Sequence, residues 1–308
     1  MDNTRADSSG SVAHAPNTMQ MMSMGSASRR RRGGRWRTFL RNRAAVVGLV
    51  ILVVFILAAI LAPLLTPYNP SQQDLAMVLQ PPSAAHWLGT DGSGRDLLAR
   101  IMFGGQYTLI IGLLAVTLAV LVGVPLGLIS GYLGGWCDMI IQRVTDIMLS
   151  FNTFLLALAL VAVLGVGPTS VIIAVGIGVI PQFIRLTRGV ALSLKQRVYI
   201  EAAESFGASR ASILWRHLLR NAVSSIIVYA TLNIGVAILV AAGLGFLGLG
   251  VQPPAAEWGT MLSEGSQYIF SAPYVSAFPG LAVFLVVLGF NLAGDGLRDA
   301  LDPNLRRG

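Results

Sequence analysis

Residues Tyr199–Asn221 read YIEAAESFGASRASILWRHLLRN and separate two long apolar runs. The stretch carries Glu201, Glu204, Arg210, Arg216, His217 and Arg220, so it belongs in water or against another protein. Its Ala, Glu, Leu and Arg content favours helix over loop. Gly207 divides it, and glycine tolerates backbone angles that other residues resist, so the pattern predicts two short helices meeting at a bend. Ser209 is placed to cap the second piece through a backbone N–H. There Ala211, Leu214 and Leu218 fall at i, i+3 and i+7, one apolar stripe with charge around it.

Working outward, the 308-residue chain is 54% hydrophobic and only 12% charged. A soluble domain carries roughly twice that charged fraction. The chain is therefore read as a membrane protein. Its single cysteine, Cys137, excludes an internal disulfide framework and offers no metal-ligand spacing. The histidines His14, His86 and His217 are scattered, and no paired-carboxylate or Ser-His-Asp arrangement has workable spacing. No enzymatic role and no cofactor are expected. A net charge of +8 would suggest nucleic acid in a soluble protein. Here it marks the loops retained in the cytoplasm, with membrane lipid and not nucleic acid as the partner.

Residues 1–43 read as a disordered tail ending in Arg29–Arg32, Arg35, Arg37, Arg41 and Arg43. Ala44 to Leu65 is uncharged over 22 residues, enough for a bilayer core that needs about 20. It is too long for the apolar core of a signal peptide and reads as a retained first span within 44–66. Prolines 63, 67, 70, 81 and 82 then predict an external loop over 67–104. Further spans are expected over Tyr107–Ser130, Cys137–Val166, Pro168–Ile184 (interrupted by Pro181), Ala222–Phe246 and Pro273–Gly294, with a polar tail over 297–308. Six spans place both ends on one side. Of 22 Lys and Arg, 20 fall on that side and the opposite loops hold only Arg95 and Arg100. The positive-inside rule puts both ends and the 188–221 loop in the cytoplasm.

On the external side, His86–Arg100 reads HWLGTDGSGRDLLAR, a structured loop leading into a helix, with Ser93 or Asp91 as cap. Asp91, Arg95 and Asp96 fit either a local ion-pair turn or contact with an external partner. No GxxxxGK[ST] phosphate cradle occurs in the chain. Gly243–Leu262 reads GLGFLGLGVQPPAAEWGTML, whose glycines let a helix end fold back, with Glu257 and Trp258 expected at the outer interface. Asn291–Arg306 reads NLAGDGLRDALDPNLR, a helical tail with charge pairing. Arg143 and Asp146, three apart, are expected to pair. No acid lies mid-span, which argues against an ion-coupled carrier and for energy supplied by another subunit.

EAAESFGAS followed by ILWRHLLRN resembles the EAA loop of the membrane subunits of bacterial ABC importers. The HWLGTD, GLGFLGLGVQPP and NLAGDGLRD segments resemble signatures of one permease subunit of the dipeptide, oligopeptide and nickel importers. Together these cover the chain from about Arg37 to its end. The resemblance implies an all-α polytopic protein with the six-helix type I ABC importer transmembrane fold, in the bacterial inner membrane. It implies a second homologous permease, two ATP-binding subunits and an extracytoplasmic substrate-binding protein as partners. It also implies an ABC core over 105–296 in which Glu201, Ala202, Ala203, Gly207, Ile213 and Leu214 dock the ATPase. Glu201 would anchor by charge, Gly207 would bend, and Ile213 with Leu214 would enter the ATPase cleft. Three positions depart from the family pattern: Arg220 stands where proline usually opens the fifth span, Asn152 replaces a proline, and Gln106 replaces an arginine. The Asn152 departure should leave the third span straighter. The rival readings are a self-contained secondary transporter or channel, and a membrane scaffold that moves no solute. Whether the cargo is peptide, nickel or another solute stays open.

Overall fold

A computed structural model describes residues 42–301. The tail expected over 1–43 therefore falls almost wholly outside the described residues, as does Asp302 with the rest of the carboxy-terminal end. The regular elements described are helices: α1 (Arg43–Leu65), α2 (Leu97–Leu133), α3 (Gly135–Leu149), α4 (Thr153–Leu164), α5 (Pro168–Lys195), α6 (Val198–Ser205), α7 (Arg210–Phe246), α8 (Trp258–Ser266) and α9 (Tyr274–Leu301). Of these, α1, α2, α5, α7 and α9 are long and apolar enough to cross a membrane, and α3 with α4, counted as one broken span, gives the sixth.

Helix α1 starts where the Asn42 side chain accepts bonds from the Ala44 and Ala45 amides. The other boundaries differ from the expectation in instructive ways. Helix α2 begins at Leu97, ten residues before Tyr107, because Asp96, not Ser93 or Asp91, caps it by accepting from the Ala99 amide at 2.7 Å. Helix α5 is not interrupted at Pro181 but runs through it, past Ile184, to Lys195. Its extra turns carry Arg185 and Arg188, each held by an acid on α3. Asp146 pairs with Arg185 at 3.0 Å, so the expected Arg143–Asp146 pair is replaced. The expected straighter third span is likewise overturned: α3 and α4 meet at 92°. Asn152 supplies the reason, because its side chain caps α4 by accepting from the Phe154 amide, and an N-cap residue has extended backbone angles that end the preceding helix.

The core forms around α2 and α5, which pack along their length. Gly123, Gly127 and Gly131 on α2 face Ile184, Thr187 and Ala191 on α5, and a Cβ at Gly127 would overlap the Thr187 hydroxyl. Small residues let two helices approach closely where lipid leaves no hydrophobic drive between them. Helices α4, α6 and α7 close this core through Val161, Ile200, Ile213, Leu218 and Leu244. A second cluster joins α1, α8 and α9 through Leu52, Trp258, Met261 and Val286. Gln106, the position usually arginine, donates to the Ala59 carbonyl at 2.7 Å and ties α2 to α1. At the α6 end of the molecule, Asn42 donates to Asp299 at 3.0 Å and joins the start of α1 to the end of α9.

Candidate docking site

The elbow between α5 and α7 is built by local rules. Helix α6 ends in a Schellman motif: the Ala208 amide donates to Ala203 and the Gly207 amide to Glu204. That closure needs left-handed backbone at Gly207, where φ is +79°. The chain restarts at Ser209, whose hydroxyl accepts from the Ser212 amide as the cap reading expects. Beyond it the second arm is not a separate short helix. It is the first part of α7, which continues through Arg220 into the membrane segment, so the helix that carries the fifth span starts at Arg210, ahead of the apolar run from Ala222.

Ile213–Leu218 forms a π-helical turn in that arm. The extra residue shifts the register, so the inward face is set by Ile213 and Leu218, five apart and both at most 1% exposed. The Ala211–Leu214–Leu218 stripe holds only in part, since Ala211 is exposed. Ile213, expected to enter a partner's cleft, instead fills the chain's own core beside Ile200. Leu214 is half-buried against the same core. The outward side carries Glu201, Ala202 and Gly207, all exposed, with Ala203 half-buried. It also carries Phe206 at 91% exposure, which the sequence reading passed over although an aromatic directly before the bending glycine was visible. Val198 and Trp215 add further exposed apolar surface. A large apolar side chain held out from a charged elbow marks a contact surface.

Two side-chain hydrogen bonds tie α6 to the spans among the described residues. Asn221 on α7 donates to the Tyr199 hydroxyl at 3.3 Å, and Tyr132 on α2 donates to Glu204 at 2.9 Å.

At the opposite end, Asp91, Arg95 and Asp96 are at most 5% exposed and bond within the chain, which favours the local ion-pair turn. Arg95 holds Asp91 at 2.7 Å and Glu264 at 2.8 Å, and Arg100 reaches the same Glu264 carboxylate at 3.0 Å. His86 meets Asp96 at 2.9 Å. Glu257 and Trp258 are at most 2% exposed, so they are buried within the protein and do not sit at the outer interface. Trp258 donates to the Ile101 carbonyl at 2.9 Å, and Glu257 caps α8 by accepting from the Gly259 and Thr260 amides at 2.9 Å.

Residues 123–307 match the family described as binding-protein-dependent transport system inner membrane component. The chain belongs to that family. Residues 33–82 further match the N-terminal transmembrane domain of oligopeptide transport permease C. The dipeptide transport system permease protein DppC of Alkalihalophilus pseudofirmus is 50% identical over 86% of this chain and 88% of its own length. The glutathione transport system permease protein GsiD of Pectobacterium atrosepticum is 48% identical over 88% of this chain and 90% of its own. A probable D,D-dipeptide transport system permease protein of Escherichia coli, DdpC, is also 48% identical, over 84% and 87%. Among solved structures, the MetNI methionine ABC transporter in inward-facing conformations shares the fold, with a TM-score of 0.52 at 19% identity over 67% of this chain and 97% of that one. The protein is thus a multi-pass permease subunit of an ABC importer in the bacterial inner membrane. Permeases of this kind work with a partner permease, a binding protein and separate subunits that hydrolyse ATP.

Proposed function

We propose that this permease carries short peptides inward as one half of a path shared with a second, homologous permease chain. Two ATPase subunits would sit on the α6 face, and a binding protein would deliver cargo to the face carrying the 67–96 loop. The basic residues support this orientation, because the charge excess on the α6 side is what holds loops in the cytoplasm. The single observation that carries the docking reading is the elbow itself. Glu201, Ala202 and Phe206 are held outward while Ile200 and Ile213 are sunk in the core.

In this reading, closure of the ATPases on nucleotide presses on α6 and Phe206. Gly207 fixes the angle, and α7, continuous over 37 residues from Arg210, acts as a rigid lever into the membrane. Ile213 serves as the internal anchor of that lever, with Glu201, Ala202, Ala203 and Leu214 at or beside the docking face. The relatives named for dipeptide and glutathione transport favour small peptides over nickel. Co-expression with candidate partner subunits, followed by ATP-dependent uptake into vesicles of labelled dipeptide, glutathione and nickel, tests this. Dipeptide or glutathione uptake is the expected result. Nickel uptake alone, or uptake by this chain without an ATPase, would overturn it.

A further inference from the structure

Tyr132 stands at a junction of three helices. Its ring is 6% exposed, in the α2–α5 core, one residue before the end of α2. Its hydroxyl leaves the core to donate to Glu204 on α6 at 2.9 Å. Its carbonyl accepts from Lys195, the last residue of α5, at 2.9 Å, and the same ammonium lies 5.7 Å from the ring centroid. A cation over an aromatic face and on a helix-terminal carbonyl is favourable on both counts. One residue therefore joins α6 to α2 through its hydroxyl, and α2 to the end of α5 through its carbonyl and ring.

The other side-chain hydrogen bond from α6 to a span among the described residues, Tyr199 with Asn221, runs to α7. The chain joins α6 to α5 through Gln196 and Arg197 and to α7 through Phe206–Ser209, and Glu204 near its far end is bonded to Tyr132 of the α2–α5 pair. A displacement of α6 reaches both α5 and α7 through the chain. With only a two-residue link to α5, α6 is held at a fixed angle to the α2–α5 pair at its far end by the Glu204–Tyr132 bond. We propose that Tyr132 and Glu204 are positioning residues that make the α2–α5 pair follow the elbow, so that each ATP hydrolysed moves solute. This rests on the docking reading above.

The test uses the full importer in proteoliposomes, following ATP hydrolysis and uptake together, with the labelled dipeptide or glutathione that the wild type accumulates. Tyr132→Phe keeps the ring and removes only the hydroxyl. It should leave assembly and ATP hydrolysis within about twofold while lowering solute moved per ATP at least about fivefold, the scale of coupling that one charge-assisted hydrogen bond carries. Glu204→Ala should do the same, and Glu204→Gln, which keeps an acceptor oxygen, should recover most of the ratio. The double variant Tyr132→Phe/Glu204→Ala should be no worse than either single one. A wild-type ratio in Tyr132→Phe, or losses that multiply in the double variant, would overturn the proposal. In parallel, Phe206→Cys in a Cys137→Ser background should cross-link to the ATPase. Without that cross-link the docking reading fails and this inference with it; with it, a wild-type ratio in Tyr132→Phe sinks this inference alone.

Discussion

The Arg188 guanidinium grips the Asp138 carboxylate with both prongs, Nε to Oδ1 at 2.6 Å and Nη2 to Oδ2 at 2.7 Å. Ser130 on α2 donates to the same carboxylate, so one acid fastens the end of α2 and the start of α3 to the later turns of α5. The fork geometry belongs to arginine; a lysine ammonium is a point charge and cannot reproduce it. Arg188→Lys should therefore destabilise the permease by about 1 kcal/mol, a figure discounted because both side chains keep some solvent contact. A lowered thermal midpoint in detergent, with Asp138→Asn showing a similar drop, is the expected measurement.

Gly207 sits at φ +79° with no atom within 4 Å of where a Cβ would be. Space is free, so the cost of a side chain lies in the backbone alone, about 1–2 kcal/mol for an L-residue in left-handed geometry. Gly207→Val should insert normally yet lose ATP-driven uptake, because it opens the elbow angle. Gly207→Asn, which tolerates that region better, should keep most activity. Normal uptake by the valine variant would remove Gly207 from the coupling role.

How much of this was legible in advance follows from what each residue type announces. Apolar runs show themselves, and the spans were found with the elbow between them. The start of α2 was hidden because Arg95 and Arg100 look like loop charges until Asp91 and Glu264 are placed beside them. The 92° break is hidden in the sequence because Asn152 stands out there as an absent proline, while its side chain is a helix cap. The π turn leaves no periodic trace, so the burial of Ile213 in the chain's own core is a correction that only the structure supplies.

That correction separates two roles that can be measured apart. Ile213→Ala empties a site in the core and should cost about 2–5 kcal/mol of stability. Phe206→Ala touches no packed neighbour and should leave unfolding within about 0.5 kcal/mol of wild type. Co-purification with the ATPase should show the reverse ranking at matched protein level, with Phe206→Ala the weaker binder. If Ile213→Ala unfolds like the wild type, its place in the core is wrong.

Glu264 faces two guanidiniums, and Arg100 is fully buried. Removing the carboxylate leaves Arg100 with Asp91 at 3.4 Å as its remaining acid. Breaking a buried pair from one side costs about 3–5 kcal/mol, and Glu264's own 30% exposure puts Glu264→Ala near the lower end. The 67–96 loop should then become sensitive to protease at the face away from α6, while α6-side labelling is unchanged.

Glu257 offers a pH test. It lies in the connection between α7 and α8, and burial pushes its carboxyl above the ordinary value of 4.5, against the hydrogen bonds from Gly259, Thr260 and Thr108 that favour the charged form. A carboxyl whose folded pKa is raised binds its proton more tightly when folded. Its contribution to stability is therefore fully present below the unfolded pKa and is lost as pH rises through the folded one. Glu257→Gln cannot ionise and keeps one acceptor oxygen, enough for one of the two cap amides, so it starts less stable than wild type at low pH. Its unfolding midpoint should lose that slope, gaining on wild type as pH increases from about 4.5 toward neutral. Glu257→Ala removes the acceptor altogether and should cost about 1–3 kcal/mol at any pH, since two amides are left without a partner in the core. Parallel unfolding curves for wild type and Glu257→Gln across that range would mean the carboxyl is not held where burial can shift it.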